Sequence, residues 1–222
     1  MFKNKKTVIF FTLIVVLSLV LTLGCSRNNS ESQGNDQNNE PVEEPQKLTI
    51  EELYPLNVGD YWKYAGTGNE FAPFEQKVLY REDNRVQLQM VNPGTTLGMV
   101  YEFQEGQLVV VYSQEELYDE ENILMRENTM ESVILQEPIE VGTTWKTADN
   151  RTFEITDISA TVETPAGKFT DCVEVVSTFE GYEAVNTMYY KPSLGLVKQV
   201  YEEGEFKVTQ ELEEFKVATY NE

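Results

Sequence analysis

The feature that most constrains the fold is an alternation of apolar and polar side chains with a period of two residues. Val86, Leu88 and Met90 alternate in this way with polar neighbours. Because successive side chains of a strand point to opposite faces, this period predicts strands with one buried and one hydrated face. We predict ten such strands, at residues 61–65, 75–80, 85–91, 99–103, 108–112, 153–162, 169–179, 184–190, 196–201 and 206–217.

Short turn signals separate these runs. The dipeptide Glu-Gly recurs at Glu105-Gly106, Glu180-Gly181 and Glu203-Gly204, and glycine supplies the positive φ that tight hairpin turns require. Pro93-Gly94 and Pro165-Ala166-Gly167 mark two more turns. Close turns between successive strands favour antiparallel pairing of sequence neighbours. The sequence therefore predicts an all-β fold, an antiparallel meander forming a curved clam, a half-barrel or a sandwich of two halves.

One short helix is predicted before the first strand. Thr49 and Glu52 have the spacing of a capping box, and Pro55 stops the helix.

A partial repeat divides the folded region. Residues 55–65 and 138–148 agree at six of eleven positions at an offset of 83, and the two copies contain Trp62 and Trp145, the two tryptophans of the chain. Chance and duplication both explain a match this short. Duplication predicts similar halves near residues 53–135 and 136–218. Each indole could donate its N–H to a turn carbonyl and act either as a core plug or as the wall of a cavity.

The N-terminus has the three parts of an export signal. Three lysines precede an apolar run at residues 7–23, and Gly24-Cys25 follows it. The sequence before Cys25 resembles the lipobox of bacterial lipoproteins, although Thr22 stands where a large aliphatic residue is usual. Residues 1–24 are then a removed signal peptide, and Cys25 carries diacylglycerol. The alternative is an uncleaved membrane anchor.

Residues 25–47 contain the lipidated cysteine and a tether. From Ser26 to Lys47 the one aliphatic residue is Val42, so we expect this segment to be disordered. As a flexible coil it would span about 25–30 Å root-mean-square. The β domain then occupies residues 48–222 and stands off the membrane.

The charge of the chain restricts its partners. The sequence has 17 basic and 38 acidic residues, a net charge of −21, and the predicted signal contains only basic ones. Such a surface repels nucleic acid and anionic lipid headgroups, so we expect no nucleic-acid partner and membrane contact through the lipid anchor alone. Acid clusters at residues 82–84 and 119–122 leave cation binding open, but neither has the pattern of a calcium loop.

Three groups of residues carry a resemblance to a known family. They are Tyr54-Pro55-Leu56 with Gly59 and Trp62, then Thr164-Pro165-Ala166-Gly167-Lys168-Phe169 with Asp171-Cys172-Val173, then Tyr189-Tyr190-Lys191-Pro192 with Gly195-Leu196-Val197-Lys198. This set, across about residues 53–217, resembles a family of uncharacterised bacterial lipoproteins and exported proteins. The resemblance implies a clam-like or half-barrel β domain of unknown function and supplies no catalytic residues. A likeness to lipoprotein carriers would be one of shape only.

Composition limits the chemistry that the chain can perform. It contains no histidine, which excludes Ser-His-Asp triads, Cys-His pairs and His-ligated metals. Cys172 is left without a partner once Cys25 is acylated, and we interpret it as a small packed residue. A glycosidase-like reaction needs only a pair of carboxylates and stays open, but a chain with 38 acidic residues offers so many pairs that none is indicated. From the missing histidine and the packed cysteine we predict no cofactor, no metal site and no enzyme activity.

Three functions remain. The first is a non-catalytic lipoprotein that binds a hydrophobic or small ligand in a continuous apolar groove, lined by Trp62, Tyr64, Trp145 and Tyr190. The second is an envelope structural or assembly factor that acts by protein contact. The third is a hydrolase that uses carboxylates or tyrosines. All three place the protein on the extracytoplasmic face of the cell membrane, with a Gram-positive envelope favoured over a periplasm.

Overall fold

The computed structural model describes residues 47–220, which form one antiparallel sheet of twelve strands and one short helix. The predicted all-β meander is therefore confirmed, whereas the signal peptide, Cys25 and most of the tether lie outside the described residues. The elements are α1 (Ile50–Leu53), β1 (Tyr61–Thr67), β2 (Phe74–Glu82), β3 (Arg85–Val91), β4 (Thr96–Gln104), β5 (Gln107–Gln114), β6 (Ser132–Gln136), β7 (Thr144–Lys146), β8 (Arg151–Thr164), β9 (Gly167–Phe179), β10 (Val185–Lys191), β11 (Gly195–Glu203) and β12 (Phe206–Lys216).

The sheet curls into a nearly closed barrel. Its order runs from β6 to β1 and then from β12 to β7, because β1 pairs with both β2 and β12. The two edge strands come together where the Trp145 indole of β7 donates to the Val133 carbonyl of β6, at 3.1 Å. Register shifts in six of the strand pairs are the bulges that increase twist and allow a sheet to curve.

Helix α1 covers the end of the barrel at which β1 begins. The predicted capping box is formed, since Glu52 N–H donates to Thr49 Oγ1 and Thr49 N–H donates to the Glu52 carboxylate. Two further bonds fix the helix to the rim. Ser193 N–H donates to the Glu52 carbonyl at 2.7 Å, and Ile50 N–H donates to Glu137 Oε1 at 2.9 Å. We call this the closed end.

The long β8–β9 hairpin also contributes to the closed end. Three register shifts between its strands bend it, and at its tip Ala166 N–H donates to the Leu212 carbonyl of β12. Phe169 packs edge-on against Phe215 and Tyr220, with centroids 6.4 and 6.3 Å away. The hairpin tip is therefore anchored on β12.

A second apolar cluster lies on the outer face of β4 and β5. The loop of residues 115–131 folds over these strands, and buried Gln87 holds it by donating to the Glu121 carbonyl and accepting from Ile123 N–H. The cluster consists of Val100, Val109, Val111, Leu117, Ile123 and Leu124.

The ten predicted runs lie, to within one residue, in ten of the twelve strands, and β6 and β7 are the two that the alternation did not indicate. Val133, Ile134 and Leu135 are consecutive apolar residues, and the pairing of β6 with β5 shifts register at this point. A bulged strand of five residues lacks a period of two. Among residues 47–220 no helix is long and apolar enough to span a membrane.

Candidate functional site

The interior of the barrel is solid toward the closed end. Tyr54 packs edge-on against Trp62, with centroids 5.6 Å apart, and the Trp62 indole donates to the Leu194 carbonyl at 2.8 Å. The Tyr54 ring lies directly on Gly195, whose φ of +92° and lack of a Cβ both permit this contact. Tyr54 and Trp62 therefore fill the barrel at its closed end, and we call them the plug.

Above this plug the interior is hollow. A chamber of about 320 Å³, which we call the inner chamber, is surrounded by aromatic and amide side chains. Its lining residues are Tyr54, Phe71, Phe74, Gln76, Met90, Asn92, Tyr101, Ser132, Ile134, Arg151, Phe153, Asn186, Met188, Tyr190, Leu196, Gln199 and Gln210.

A second chamber lies at the opposite end from α1, where the β7–β8, β9–β10 and β11–β12 turns meet. This mouth chamber has a volume of about 520 Å³ and shares Arg151, Asn186 and Gln199 with the inner chamber. The two are therefore adjoining parts of one site. Its other lining residues are Asp149, Ser177, Thr178, Phe179, Tyr182, Ala184, Tyr201 and Glu203.

Strand register aligns part of the wall. Asn186 of β10 lies opposite Ser177 of β9 on one side and Tyr201 of β11 on the other, and Ser177 lies opposite Phe153 of β8. These four side chains form one row across the sheet. In the middle of the row Asn186 Oδ1 is buried and has no hydrogen-bond partner.

Other amides of the inner chamber are engaged by the protein. Gln76 Oε1 accepts from the Tyr54 hydroxyl at 3.0 Å, and Gln210 Nε2 donates to the Ala72 carbonyl at 2.8 Å. Asn92 Oδ1 accepts from two backbone N–H groups of its own turn. Asn186 differs from these amides because its Oδ1 has no hydrogen-bond partner, although this oxygen is itself closed off from both chambers.

The cation of the site is already paired. Arg151 Nε donates to Asp149 Oδ2 at 2.7 Å, and this bond, with one from Thr147, holds the pKa of the Asp149 carboxyl below its usual value. The residues that line the inner chamber include no carboxylate, and Arg151 is their one charged member. The inner chamber is thus close to electrically neutral.

The buried phenols and the buried thiol of the interior stay protonated at neutral pH. Burial raises the pKa of the Tyr101 hydroxyl to about 12 and also raises the pKa values of Tyr54 and Tyr190 well above their usual value. Burial also raises the pKa of the Cys172 thiol to about 11, although Lys191 opposes the shift. Neutral phenols and a neutral buried thiol are poor nucleophiles and bases.

The acid cluster predicted near residue 120 lies in the outer loop and is partly paired. Glu120 contacts Lys77 at 3.1 Å, and Glu121 contacts Arg126 at 2.9 Å. Between residues 47 and 220 no group of three acidic or cysteine side chains is arranged to hold a metal ion.

The four predicted ligand-lining residues are separated by the fold. Tyr190 lines the inner chamber, whereas Trp62 lies in the plug and Tyr64 stacks on Phe74 with its hydroxyl donated to the Leu196 carbonyl. The Trp145 side chain extends from β7 to the Val133 carbonyl of β6 and stacks on Phe153. The predicted lipidation site, Cys25, is outside the described residues. The interior is filled by side chains at the closed end and lined partly with amides toward the mouth, so it is not a continuous apolar groove.

The sequence pattern contained one overlooked signal for this site. In the run at residues 184–190, Asn186 shares its face with Met188 and Tyr190, so a polar residue interrupts an inward-facing apolar series. Similarly placed polar residues are Ser177 and Gln199.

Comparison with known proteins gives a fold likeness only. No family model and no curated protein matches the chain. A solved structure of a candidate lipoprotein from Parabacteroides distasonis is 19% identical with a TM-score of 0.46, and covers 77% of this chain and 100% of its own. A candidate exported protein with a YmcC-like fold from Bacteroides fragilis is 14% identical with a TM-score of 0.42, and covers 72% of this chain and 96% of its own. Both descriptions are of the class that the sequence motifs resemble.

Proposed function

We propose that this protein is a lipoprotein of the cell envelope that binds a small ligand in the two chambers without transforming it. The observation that carries the proposal is the asymmetry of the interior. One end is plugged by Tyr54 and Trp62, while the other holds adjoining chambers of about 320 and 520 Å³ whose walls carry aromatic and amide side chains. Small-molecule sites are typically concave, largely apolar and equipped with a few placed polar groups.

The chemistry of the wall favours binding over hydrolysis. A hydrolase of this kind needs two carboxylates that flank the bond to be broken, with one of them protonated. The inner chamber has none on its wall. The mouth chamber has two, Asp149 and Glu203, of which Arg151 keeps Asp149 ionised and Glu203 accepts from the Tyr201 hydroxyl at 2.8 Å. The raised pKa values of the buried tyrosines argue against the tyrosine-based version in the same way.

Residue Cys25 supplies the anchor in this proposal. Diacylglycerol on that cysteine would hold the protein stably, because two acyl chains bind far more strongly than one. The tether then lets the β domain move relative to the membrane, on the extracytoplasmic side of a Gram-positive cell or in a periplasm.

Assembly by protein contact is the second candidate, favoured by the outer loop. Tyr118 is 66% exposed and Met125 81% exposed, both on the loop of residues 115–131. Large apolar side chains that remain in water at this level are typical of contact surfaces when they cluster.

Native mass spectrometry distinguishes the two candidates. The chain from residue 25 with Cys25→Ser is purified without detergent from its own host. We expect a copurifying small molecule that is absent after refolding from denaturant. A protein that carries no mass beyond its own, but crosslinks in cells to a partner through the loop of residues 115–131, would support assembly and contradict ligand binding.

The anchor is tested separately. Cys25→Ala should move the protein from the membrane fraction to the soluble or secreted fraction while its circular dichroism stays that of a β protein. A Ser26→Ala variant is the matched control and should remain in the membrane. If Cys25→Ala protein stayed in the membrane fraction with its signal segment removed, the anchor would lie elsewhere.

A further inference from the structure

The wall of the mouth chamber carries more negative than positive charge. Its charged side chains are Asp149, Glu203 and Arg151, and Arg151 is bonded to Asp149. Glu203 is therefore the carboxylate of this wall that lacks a cation. Its Oε2 accepts from the Tyr201 hydroxyl at 2.8 Å, and nothing else in the described part of the chain bonds to its side chain. The net charge of −21 also attracts cations to such a wall.

Aromatic rings line the same chamber. They belong to Phe179, Tyr182 and Tyr201, and the first two are in contact with centroids 4.8 Å apart. Tyr182 is 62% exposed, so a large ring stands in water at the mouth. The face of an aromatic ring attracts a cation, and a carboxylate in the same cavity adds an ion pair. Rings and a carboxylate without a cation are together suited to an organic ammonium group.

Strand β11 connects the mouth chamber to the inner chamber. Gln199, Tyr201 and Glu203 are alternate residues of this strand and share one face, with Gln199 on the walls of both chambers. The Gln199 amide is half-buried and is bonded to no other side chain or carbonyl among residues 47–220. It is therefore free to donate to a ligand and to accept from one. Four residues of strand separate it from Glu203 by about 13 Å.

The inner chamber suits the uncharged part of such a ligand. Its wall includes Phe74, Met188 and Leu196 and no carboxylate, and an ammonium group buried without a carboxylate would be strongly disfavoured. Met188 lies opposite Gln199 on the neighbouring strand, so apolar surface begins beside the amide. The ammonium group belongs at the mouth, where the Glu203 side chain is exposed to water.

We propose that the two chambers take an organic cation with an apolar body. The ammonium group lies against Glu203 and the rings of the mouth chamber, the body fills the inner chamber, and Gln199 bonds to a polar group between the two. The proposal rests on the ligand-binding function proposed above and names its chemical class. Glu203 is the residue that determines specificity for charge.

Four probes of matched length test the class. 6-Phenylhexylammonium, 6-phenylhexanol and 6-phenylhexanoate differ in charge, and N-(4-aminobutyl)benzamide keeps the ammonium group but places an amide in the chain. Binding of each to the chain from residue 25 with Cys25→Ser is measured by isothermal titration calorimetry at pH 7 and low ionic strength. We expect 6-phenylhexylammonium to bind about threefold to tenfold more tightly than the alcohol, and the carboxylate to bind most weakly.

Glu203→Gln removes the charge and keeps the shape of the side chain. In this variant we expect 6-phenylhexylammonium to bind about threefold more weakly and the alcohol to bind as before. Glu202→Gln is the matched control, because it changes the net charge equally but lies on the opposite face of β11 in an ion pair with Lys207. It should keep the preference for the ammonium group. Equal weakening of all four probes by Glu203→Gln would show a structural role for Glu203 instead.

Gln199→Met removes the amide and keeps a similar side-chain length. We expect N-(4-aminobutyl)benzamide to bind this variant about twofold to tenfold more weakly, relative to 6-phenylhexylammonium, because one hydrogen bond is lost. If the benzamide probe kept its relative affinity, Gln199 would not be the residue that contacts the ligand between its two ends.

The outcomes separate the two proposals. If the alcohol or the carboxylate binds as tightly as the ammonium probe, or if Glu203→Gln keeps the preference, ligand binding stands and the cationic class is wrong. If none of the four probes binds, the cationic class is also wrong, and the native mass spectrum of the purified protein still decides whether a ligand is bound.

Discussion

The barrel has two junctions between its six-strand halves, and they differ in how they are closed. At the first, β1 pairs with β12 along its whole length, from Tyr61 opposite Lys216 to Thr67 opposite Thr209. At the second, β6 and β7 form no ladder, and the main link is the hydrogen bond from the Trp145 indole to the Val133 carbonyl. We call the first the laddered junction and the second the seam.

The two junctions begin with the same local structure. Gly59 and Gly142 both have φ of +91°, and each donates its N–H to a carbonyl of the second strand after it, Val78 of β2 or Ile155 of β8. Trp62 and Trp145 follow at the same spacing. The difference therefore arises after the tryptophans. Strand β7 ends at Lys146 after three residues, too short to pair with β6 and β8 at once.

The two junctions border different parts of the barrel interior. The laddered junction supplies the plug, because Trp62 of β1 donates to Leu194 and contacts Tyr54. The seam borders the inner chamber, since Ser132 and Ile134 of β6 lie on its wall. The two halves share one turn design, and the seam and the inner chamber lie on the side where β7 has only three residues.

The largest expected effect is loss of the plug. Trp62→Ala empties a fully buried site and leaves the Leu194 carbonyl unpaired, so the free energy of unfolding should fall by about 3–5 kcal/mol. Trp145→Ala should cost roughly half as much, because β6 and β7 are free to move into the space. Urea denaturation measures both. A larger loss for Trp145→Ala would show that the seam is the stronger junction.

The seam itself is tested by a smaller change. Trp145→Phe retains an aromatic ring against Phe153 but removes the N–H that Val133 accepts, at a cost of about 1 kcal/mol. Amide hydrogen exchange should accelerate in β6 and β7 and remain unchanged in β1 and β12. The reciprocal control, Trp62→Phe, should spare β6 and β7. Uniform acceleration over the sheet would mean that the seam does not open by itself.

The shared turn should respond equally at both junctions. Gly59→Ala and Gly142→Ala place a Cβ at the same positive φ, and a Cβ at either position meets no atom within 4 Å. Each should therefore lose about 1 kcal/mol from backbone strain alone, as measured in urea. Costs that differ by more than the experimental error would show that the two turns are not equivalent.

The smallest effect concerns the turn between β7 and β8. Arg151 lowers the pKa of Asp149, so their bond stabilises the folded state above the carboxyl's unfolded pKa of about 3.9 and is lost as pH falls through the lower folded value. Because both side chains are about half exposed, the contribution is at most a few tenths of a kcal/mol. Asp149→Asn should lower Tm slightly at pH 7 and by less at pH 2.5. An equal loss at both pH values would contradict an ionic origin.

Local signals in the sequence predicted most of the fold. The capping box at Thr49 and the three Glu-Gly turns act within a few residues, and the alternation of strands such as β3 reflects the pleat. The bulged β6 lacks that alternation. The closing of the sheet into a barrel also could not be predicted from local signals, because β1 and β12, which pair with each other, are the first and last strands of the meander.

The site was harder to predict because its residues come from separate strands. Ser177, Asn186 and Gln199 become neighbours only through the register of β9, β10 and β11. Trp62 attracts attention as an aromatic residue, but its partner Leu194 is 132 positions away and makes it part of the plug. Long-range register, not residue type, decides which aromatic side chains reach the chamber.

The most direct test of ligand binding is a crystal structure, at better than about 2 Å, of the detergent-free protein purified from its own host. We predict electron density that is neither protein nor water in the two chambers, in contact with Met188 and Tyr190 of the inner chamber. Chambers that contain only ordered water would contradict the proposal.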